Sequence, residues 1–327
     1  MPKRMVCREL GPPEWLRLES FASAPLEPGQ ARVAVRVAGI NFPDILMVAG
    51  QYQLKPELPF TPGVEAAGEV CEIGDGVAGV AVGDRVMVKM RYGAYADEVV
   101  VAAPSQLTPL PPNFDFAEGA TFLAAHGTAH HALIDRGALK SGEVLLVHGA
   151  GGGVGLAAVE TAKLLGATVI AAASSEEKLA IAKTKGADHL VLYAREPFRD
   201  AVKRITGGRG ADVVFDPVGG EVFENSLRCI AYGARILVIG FTGGIGLART
   251  NLLLIKGASV LGVRAGEAGR RDPALGAART NALLHWAEAG KVRPHISHRL
   301  PLEDCAQAMR LLIDRKAIGR VALMMSA

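Results

Sequence analysis

Cysteine is scarce in this chain of 327 residues: Cys7, Cys71, Cys229 and Cys305 are widely scattered, and no CxxC occurs. That pattern excludes a disulfide framework and a zinc ribbon. It fits a reducing, cytoplasmic setting. Aromatic residues make up only 5% of the chain, so a stacked aromatic pocket is not evident. No apolar stretch reaches the roughly 18 residues of a membrane helix without Gly or charge, so no membrane span is expected. Excess charge is also lacking. The net charge is +3 and there is no basic run, so neither nucleic acid nor a membrane surface is an expected partner. The opening MPKRMVCREL has no apolar core of the kind a secretory signal needs.

What is present is glycine, 39 residues of it, and apolar residues at 50%. The length suggests two domains. Up to about residue 122 the chain is a series of short β-type runs, ARVAVRVAGI (31–40), AAGEVCEI (66–73), DRVMVKM (84–90) and YADEVVVA (95–102), separated by EPGQ, GDGVAG, VGD and APSQ. Such spacing reads as an antiparallel barrel or sandwich. The segment FAEGATFLAAHGTAHHALIDRG then reads as one or two helices. Short apolar runs follow: VLLVHG (144–149), TVIAAAS (168–174), HLVLY (189–193), DVVFDPV (212–218), ARILVIG (234–240) and SVLGVR (259–264). They are apolar throughout, as buried parallel strands are, and helical segments separate them. Six such strands predict a doubly wound α/β sheet with two mononucleotide-binding halves. The expected divisions are 1–122, 123–264 and a returning segment, 265–327, with helices at 273–290 and 302–315 and a last strand at RVALMM.

Five glycines crowd into Gly149–Gly155, after a predicted strand and before a predicted helix. The turn reads A-x-G-x-x-G through Ala150, Gly152 and Gly155, with Gly151 and Gly153 as extras and Val154 beside them. A small first residue permits the tight turn, Gly152 admits a pyrophosphate to the backbone, and Gly155 packs the helix on the strand. The helix N-terminus would hold the anion. A glycine-rich turn without a ligand is the competing reading.

The second strand ends AAASSEEK, with Ser174 where an NAD site usually shows an acid. Lys178 lies one helical turn further on and Tyr193 ends the third strand. A hydroxyl and a cation suit a 2′-phosphate, which favours NADPH. Ser174 and Glu177 also form an S-x-x-E capping box, which would explain both locally.

The motifs PGVEAAGEV (62–70), VGDRV (82–86), HGTAHHAL (126–133), HGAGGGVG (148–155), GADVVFDPVGG (210–220) and RILVIGF (235–241) run in an order that resembles the medium-chain dehydrogenase/reductase superfamily. AGINFPDILMVAGQY (38–52) and LPFTPG (58–63) are similar to its zinc-free quinone oxidoreductase branch. The resemblance implies a GroES-like β-barrel catalytic domain and a Rossmann domain, with the cofactor in the cleft between them. Positions that carry zinc ligands in alcohol dehydrogenases hold Asn41 and Val64 here, and TFLAA has no Cys, so no catalytic zinc is expected. Without a Lewis acid, oxidation of a simple alcohol is hard. A quinone or α,β-unsaturated carbonyl accepts hydride with hydrogen bonds alone.

The resemblance further implies Asn41 and Tyr52 at the substrate and a catalytic-site Arg264 near the substrate or the cofactor. Asn41 would donate to a carbonyl, and Tyr52 would donate or stack. It implies Thr128, Gly240, Phe241 and Thr242 at the cofactor. Each has a bland alternative: a turn residue, a loop aromatic packed on the barrel, a surface or interdomain ion pair. Asp44 is read as the cap of a helix starting at Ile45, Glu65 as structural, and His148 as core. His126 and His130, at H-x-x-x-H spacing, would share one helix face. The leading activity is zinc-independent, NADPH-dependent reduction of a small electrophilic quinone, enal or enone. The alternatives are an enoyl-thioester (acyl-CoA) reductase and a non-catalytic, crystallin-like NADPH-binding protein. A homodimer through the edge strands of two Rossmann sheets is implied by the resemblance.

Overall fold

The computed structural model describes residues 1–326 and divides into two units, Met1–Ala124 with the chain from His295 onward, and Ala125–Pro294. In the first unit, β1 (Lys3–Val6) pairs with β2 (Arg17–Ser20). Then follow β3 (Gln30–Gly39), α1 (Phe42–Val48), β4 (Glu65–Ile73), β5 (Arg85–Lys89), β6 (Glu98–Ala102), β7 (Leu107–Pro109) and α2 (Phe116–Ala120). The unit boundary falls inside α3 (Leu123–His130), which runs on into a π-helical turn, His131–Arg136.

The second unit then alternates strand and helix: β8 (Val144–Val147), α4 (Gly153–Leu164), β9 (Thr168–Ala173), α5 (Glu176–Thr184), β10 (His189–Leu192), α6 (Phe198–Ile205), β11 (Ala211–Asp216), α7 (Gly220–Ser226), β12 (Ile230–Val238), α8 (Thr250–Lys256) and β13 (Ser259–Gly262). The helices α9 (Ala265–Arg271) and α10 (Pro273–Glu288) follow. The chain finally returns as β14 (Ile296–Pro301), α11 (Cys305–Ile313) and β15 (Arg320–Met324). The two returning strands join β3, β4, β5 and β7 in the order β14-β15-β3-β4-β5-β7, with β6 paired to β3. The β14–β15 pair is parallel; the others are antiparallel.

The second unit holds a six-stranded parallel sheet in the order β10-β9-β8-β11-β12-β13. The strands start near the middle and wind outward twice, the doubly wound arrangement expected. Alternation along β8 shows why its sequence is apolar throughout. Leu145 and Val147 join the core that contains Leu156 and Val159 of α4, while Val144 and Leu146 join the one containing Phe198 of α6 and Leu227. Both faces are buried, so every position is apolar. At 25 cal/mol per Å², each such side chain contributes about 2 kcal/mol.

The returning segment begins later than the sequence suggests. Residues 265–294 belong with the second unit. Arg279 of α10 is buried there and donates to Ala265 O at 3.0 Å and to Asp135 Oδ2 at 3.2 Å, and Leu283 and Ala287 are buried beside it. No helix of the described residues is long and apolar enough to cross a membrane.

Candidate functional site: a glycine turn and a fixed amide

After β8 the chain turns at Gly149 (φ +56°), a left-handed conformation that suits glycine. Gly152 N donates to Gly149 O at 2.9 Å, and α4 begins at Gly153. A Cβ on Gly155 would lie 2.8 Å from Ala150 Cα, so the helix rests directly on the turn. Ala150 and Gly151 are buried; Gly152, Gly153 and Val154 keep some exposure. Gly152 offers no side-chain cap and the first turn of α4 carries no acid. The leading N–H groups of a helix have no partner within it, so this end suits an anion.

Ser174 stands exposed just past β9. The capping role expected of it belongs to its neighbour: Ser175 is the N-cap of α5 and accepts from Lys178 N at 3.3 Å. The helix starts one residue later than the capping reading requires, at Glu176, which leaves the Ser174 hydroxyl to Lys178 Nζ at 3.3 Å. The Lys178 stem lies across the glycine turn, since a Cβ on Gly151 would come within 2.5 Å of Lys178 Cβ. Glu176 is turned to Arg195 at 2.7 Å. Tyr193 lies next to β9, its N–H on Ala173 O at 3.1 Å. Its hydroxyl is 2.9 Å from His148 Nδ1 and 3.4 Å from Gly149 N.

At the ends of β11 and β12 two loops touch backbone to backbone. A Cβ on Gly220 would lie 2.5 Å from Gly243 O. Asp216, whose carboxyl is pushed up by burial, accepts from Val218 N at 2.8 Å and Gly219 N at 2.9 Å. Thr242 Oγ1 donates to Pro217 O at 3.2 Å, Gly240 N lies 3.4 Å from Asp216 O, and Phe241 is exposed. Arg264 does not end the sixth strand. It lies two residues past Gly262, at the N-cap of α9, exposed. Thr128 is half-buried on α3.

The two α3 histidines have separate partners. His126 Nε2 meets Glu160 Oε2 at 3.0 Å, whereas the His130 ring tilts against Trp286 at 5.4 Å between centroids. His131 Nδ1 contacts Asp135 Oδ2 at 2.7 Å.

In the first unit, Asn41 occupies the N-cap of α1 and Asp44 its third position, not the cap expected of it. Asp44 Oδ2 accepts from Asn41 N at 2.9 Å and from the Tyr95 hydroxyl at 2.7 Å. Burial pushes Asp44 up to about 7. Asn41 Nδ2 donates to Glu65 Oε1 at 2.9 Å and to Gly39 O at 3.3 Å. Both neighbours only accept, so the nitrogen must face them and the expected donation to a substrate carbonyl is already spent. Glu65 is buried, accepts from Ala124 N at 2.9 Å, and is ion-paired to Arg320. Tyr52 is half-buried against the core of this unit. Neither Asn41, with its amide spent, nor Val64 fits a zinc ligand. Among the described residues no three His, Cys, Asp or Glu side chains converge on a metal position.

Sequence reading overlooked Tyr95, Arg320, Ser226 and Arg279. Their partners lie far away in the chain, up to 255 positions for Arg320 and Glu65.

Residues 27–112 match the family described as alcohol dehydrogenase GroES-like domain, and 153–279 that described as zinc-binding dehydrogenase. A Nematostella vectensis protein named quinone oxidoreductase-like protein 2 homolog is 38% identical over 98% of this chain and 88% of its own. The structure of a probable oxidoreductase from Mycobacterium abscessus superposes with TM-score 0.89, at 37% identity over 99% of this chain and 98% of that one. Escherichia coli quinone oxidoreductase, solved complexed with NADPH, has TM-score 0.89, at 29% identity over 98% of this chain and 99% of that one. With the glycine turn, the six-stranded sheet and these matches together, the chain belongs to the medium-chain dehydrogenase/reductase superfamily, in its quinone oxidoreductase branch.

Proposed function

We propose that this protein is an NADPH-dependent reductase that delivers hydride to a quinone or another activated alkene or carbonyl without a catalytic zinc. The observation that carries the reading is the contact between the turn and the phosphate-side pair: Lys178 lies over Gly151 and reaches Ser174. A hydroxyl and an ammonium at one spot match a 2′-phosphate, while Glu176, the first residue of α5, is held by Arg195. The uncapped start of α4 would take the diphosphate. Bound there, NADPH supplies the hydride. The chain's own contribution is to seat the dinucleotide and to hold a rigid polar set, Asn41, Asp44, Glu65 and Tyr95, in the first unit. NADPH-bound Escherichia coli quinone oxidoreductase supports the choice of cofactor by likeness.

The test is NADPH oxidation on offering a quinone, a 2-alkenal and an enoyl thioester. Turnover with the quinone or alkenal is expected. Tight NADPH binding with no turnover on any would replace the reading with a binding protein, and turnover on the thioester alone would select the acyl reductase. Lys178→Ala should raise the KM for NADPH about tenfold and leave NADH nearly unchanged.

A homodimer is proposed with this activity. β13 stands at the end of the sheet order. Nearby chain exposes Tyr232 (83%), Ile245 (80%) and Leu254 (82%), a concentration of apolar surface suited to a second copy. A monomer by light scattering, or a dimer unaffected by Leu254→Glu, would overturn it. The four cysteines are free, which supports a reducing, cytoplasmic compartment.

A further inference from the structure

His148 lies between β8 and the glycine turn and is wholly buried, yet both ring nitrogens have partners. Nδ1 is 2.9 Å from the Tyr193 hydroxyl and Nε2 is 2.9 Å from Ser226 Oγ. Ser226 Oγ is also 2.7 Å from Val222 O, which can only accept. The serine hydrogen therefore goes to Val222, and Ser226 Oγ accepts from His148. Burial holds the imidazole down to about 3, so the ring is neutral. Its single hydrogen is then on Nε2, and Nδ1 is bare. The tautomer follows from the partners.

Tyr193 must therefore donate its hydroxyl hydrogen to Nδ1. Its oxygen is left to accept, and Gly149 N points at it from 3.4 Å. All donors run in one direction: Gly149 to Tyr193 to His148, then His148 to Ser226 to Val222. The Tyr193 ring lies nearly parallel to the imidazole (24°, centroids 6.1 Å apart), and Phe198 meets the imidazole edge-on at 4.7 Å. The Tyr193 N–H holds Ala173 O, the carbonyl just before Ser174. One tyrosine thus ties together the head of the glycine turn and the strand end that carries Ser174.

We propose that His148 is a positioning residue of the dinucleotide site: as the Nε2-protonated imidazole it turns the Tyr193 hydroxyl inward onto Gly149, and so sets the turn and the Ser174–Lys178 pair in register. The inference rests on the NADPH reading above. It assigns Tyr193 to the adenosine side as a fixed wall whose hydroxyl is committed to the protein.

The test compares His148→Phe, Tyr193→Phe and their double variant by direct titration with NADPH and NADH. A lost neutral hydrogen bond corresponds to a several-fold change. Each single variant should weaken NADPH about fivefold and NADH less than twofold. Because both interrupt one chain, the double variant should match the singles instead of multiplying them. His148→Gln, with one acceptor and one donor, should restore most of the selectivity. A merely structural role would lower Tm and leave the NADPH-to-NADH ratio alone. The proposal is overturned by an unchanged ratio in both single variants, or by multiplicative effects. Should His148→Phe not fold, Tyr193→Phe and the imidazole ¹⁵N spectrum of the unaltered protein still decide: hydrogen on Nδ1 would sink it. If the unaltered protein does not bind NADPH, the cofactor assignment fails instead, and the ¹⁵N spectrum still tests the tautomer.

Discussion

Asn41 Nδ2 and Glu65 Oε1 stand 2.9 Å apart in the first unit, and this pairing fixes the orientation of the amide. Glu65 is immobilised by Arg320 and by Ala124 N. The nitrogen of Asn41 is consumed, and its side-chain oxygen faces Asp44 N within the capping box of α1. Asn41→Asp places two carboxyls where a donor and an acceptor stood. One must then hold a proton, so the pair's folded pKa rises above the unfolded value. Stability from that proton is present at low pH and is lost as pH rises. The expected outcome is a Tm deficit of Asn41→Asp at pH 8 that shrinks towards pH 5, read by circular dichroism. A deficit independent of pH would show that Arg320 neutralises both acids.

Asp44 and His148 carry opposite pH signatures in the two units. Burial lifts Asp44 from 3.8 to about 7, so the folded state holds its proton more tightly. Its contribution to stability is full below about 3.8 and is lost as pH rises towards 7. His148 is held down from 6.5 to about 3, so its contribution is full above 6.5 and is lost as pH falls. Within these windows each slope is at most about 1.4 kcal/mol per pH unit. Relative to the unaltered protein, Asp44→Asn should gain Tm as pH rises from 4 to 7, and His148→Gln as pH falls from 6.5 to 4. Thermal melts of the three proteins across this range check both signs.

Gly39 ends β3 against α2, and a Cβ there would collide with the backbone carbonyl of Ala120 and lie 3.1 Å from Glu65 Oε1. Backbone on one side and a paired carboxylate on the other leave no cheap way to yield. Gly39→Ala should cost about 1–3 kcal/mol. Urea melts measure it directly. The same substitution at Gly76, where a Cβ meets nothing within 4 Å, is strained only by its φ of +74° and should cost less.

Much of the second unit is legible in sequence because its signals are local. VLLV is apolar at every position since both faces of β8 are covered, and the glycines follow it directly in the chain. The first unit's strands are legible by their turns, although YADEVVVA begins its strand only at Glu98. What escaped reading depends on distance or on a single step of register. Ser174 and Ser175 are chemically alike, and only the start of α5 at Glu176 decides which one caps it. The start of the return is not legible, because an amphipathic helix looks the same in either unit. The buried Arg279, reaching Ala265 and Asp135, assigns α9 and α10. The pairing of Glu65 with Arg320 gives no sequence signal, the two being 255 positions apart.

The contact between Gly151 and Lys178 makes a last outcome specific. A methyl group at position 151 meets Lys178 Cβ at 2.5 Å and Cγ at 2.6 Å, the rigid base of the side chain rather than its flexible end. Side-chain rotation cannot move Cβ, so the start of α5 must shift from the turn, and Nζ leaves the Ser174 hydroxyl, 3.3 Å distant. Gly151 is buried and Lys178 half-buried, so moving the turn against α5 costs stability as well, about 1–3 kcal/mol. Gly151→Ala should therefore lower Tm and, in the folded protein, lose about tenfold in NADPH affinity, roughly 1.4 kcal/mol. NADH, which brings no 2′-phosphate to the displaced ammonium, should lose much less. If the methyl instead obstructs the diphosphate, both nucleotides weaken equally, and isothermal titration with the pair separates the two outcomes. Adding Lys178→Ala to Gly151→Ala completes the argument: with the ammonium gone there is nothing left to displace, and the second substitution should cost little beyond the first.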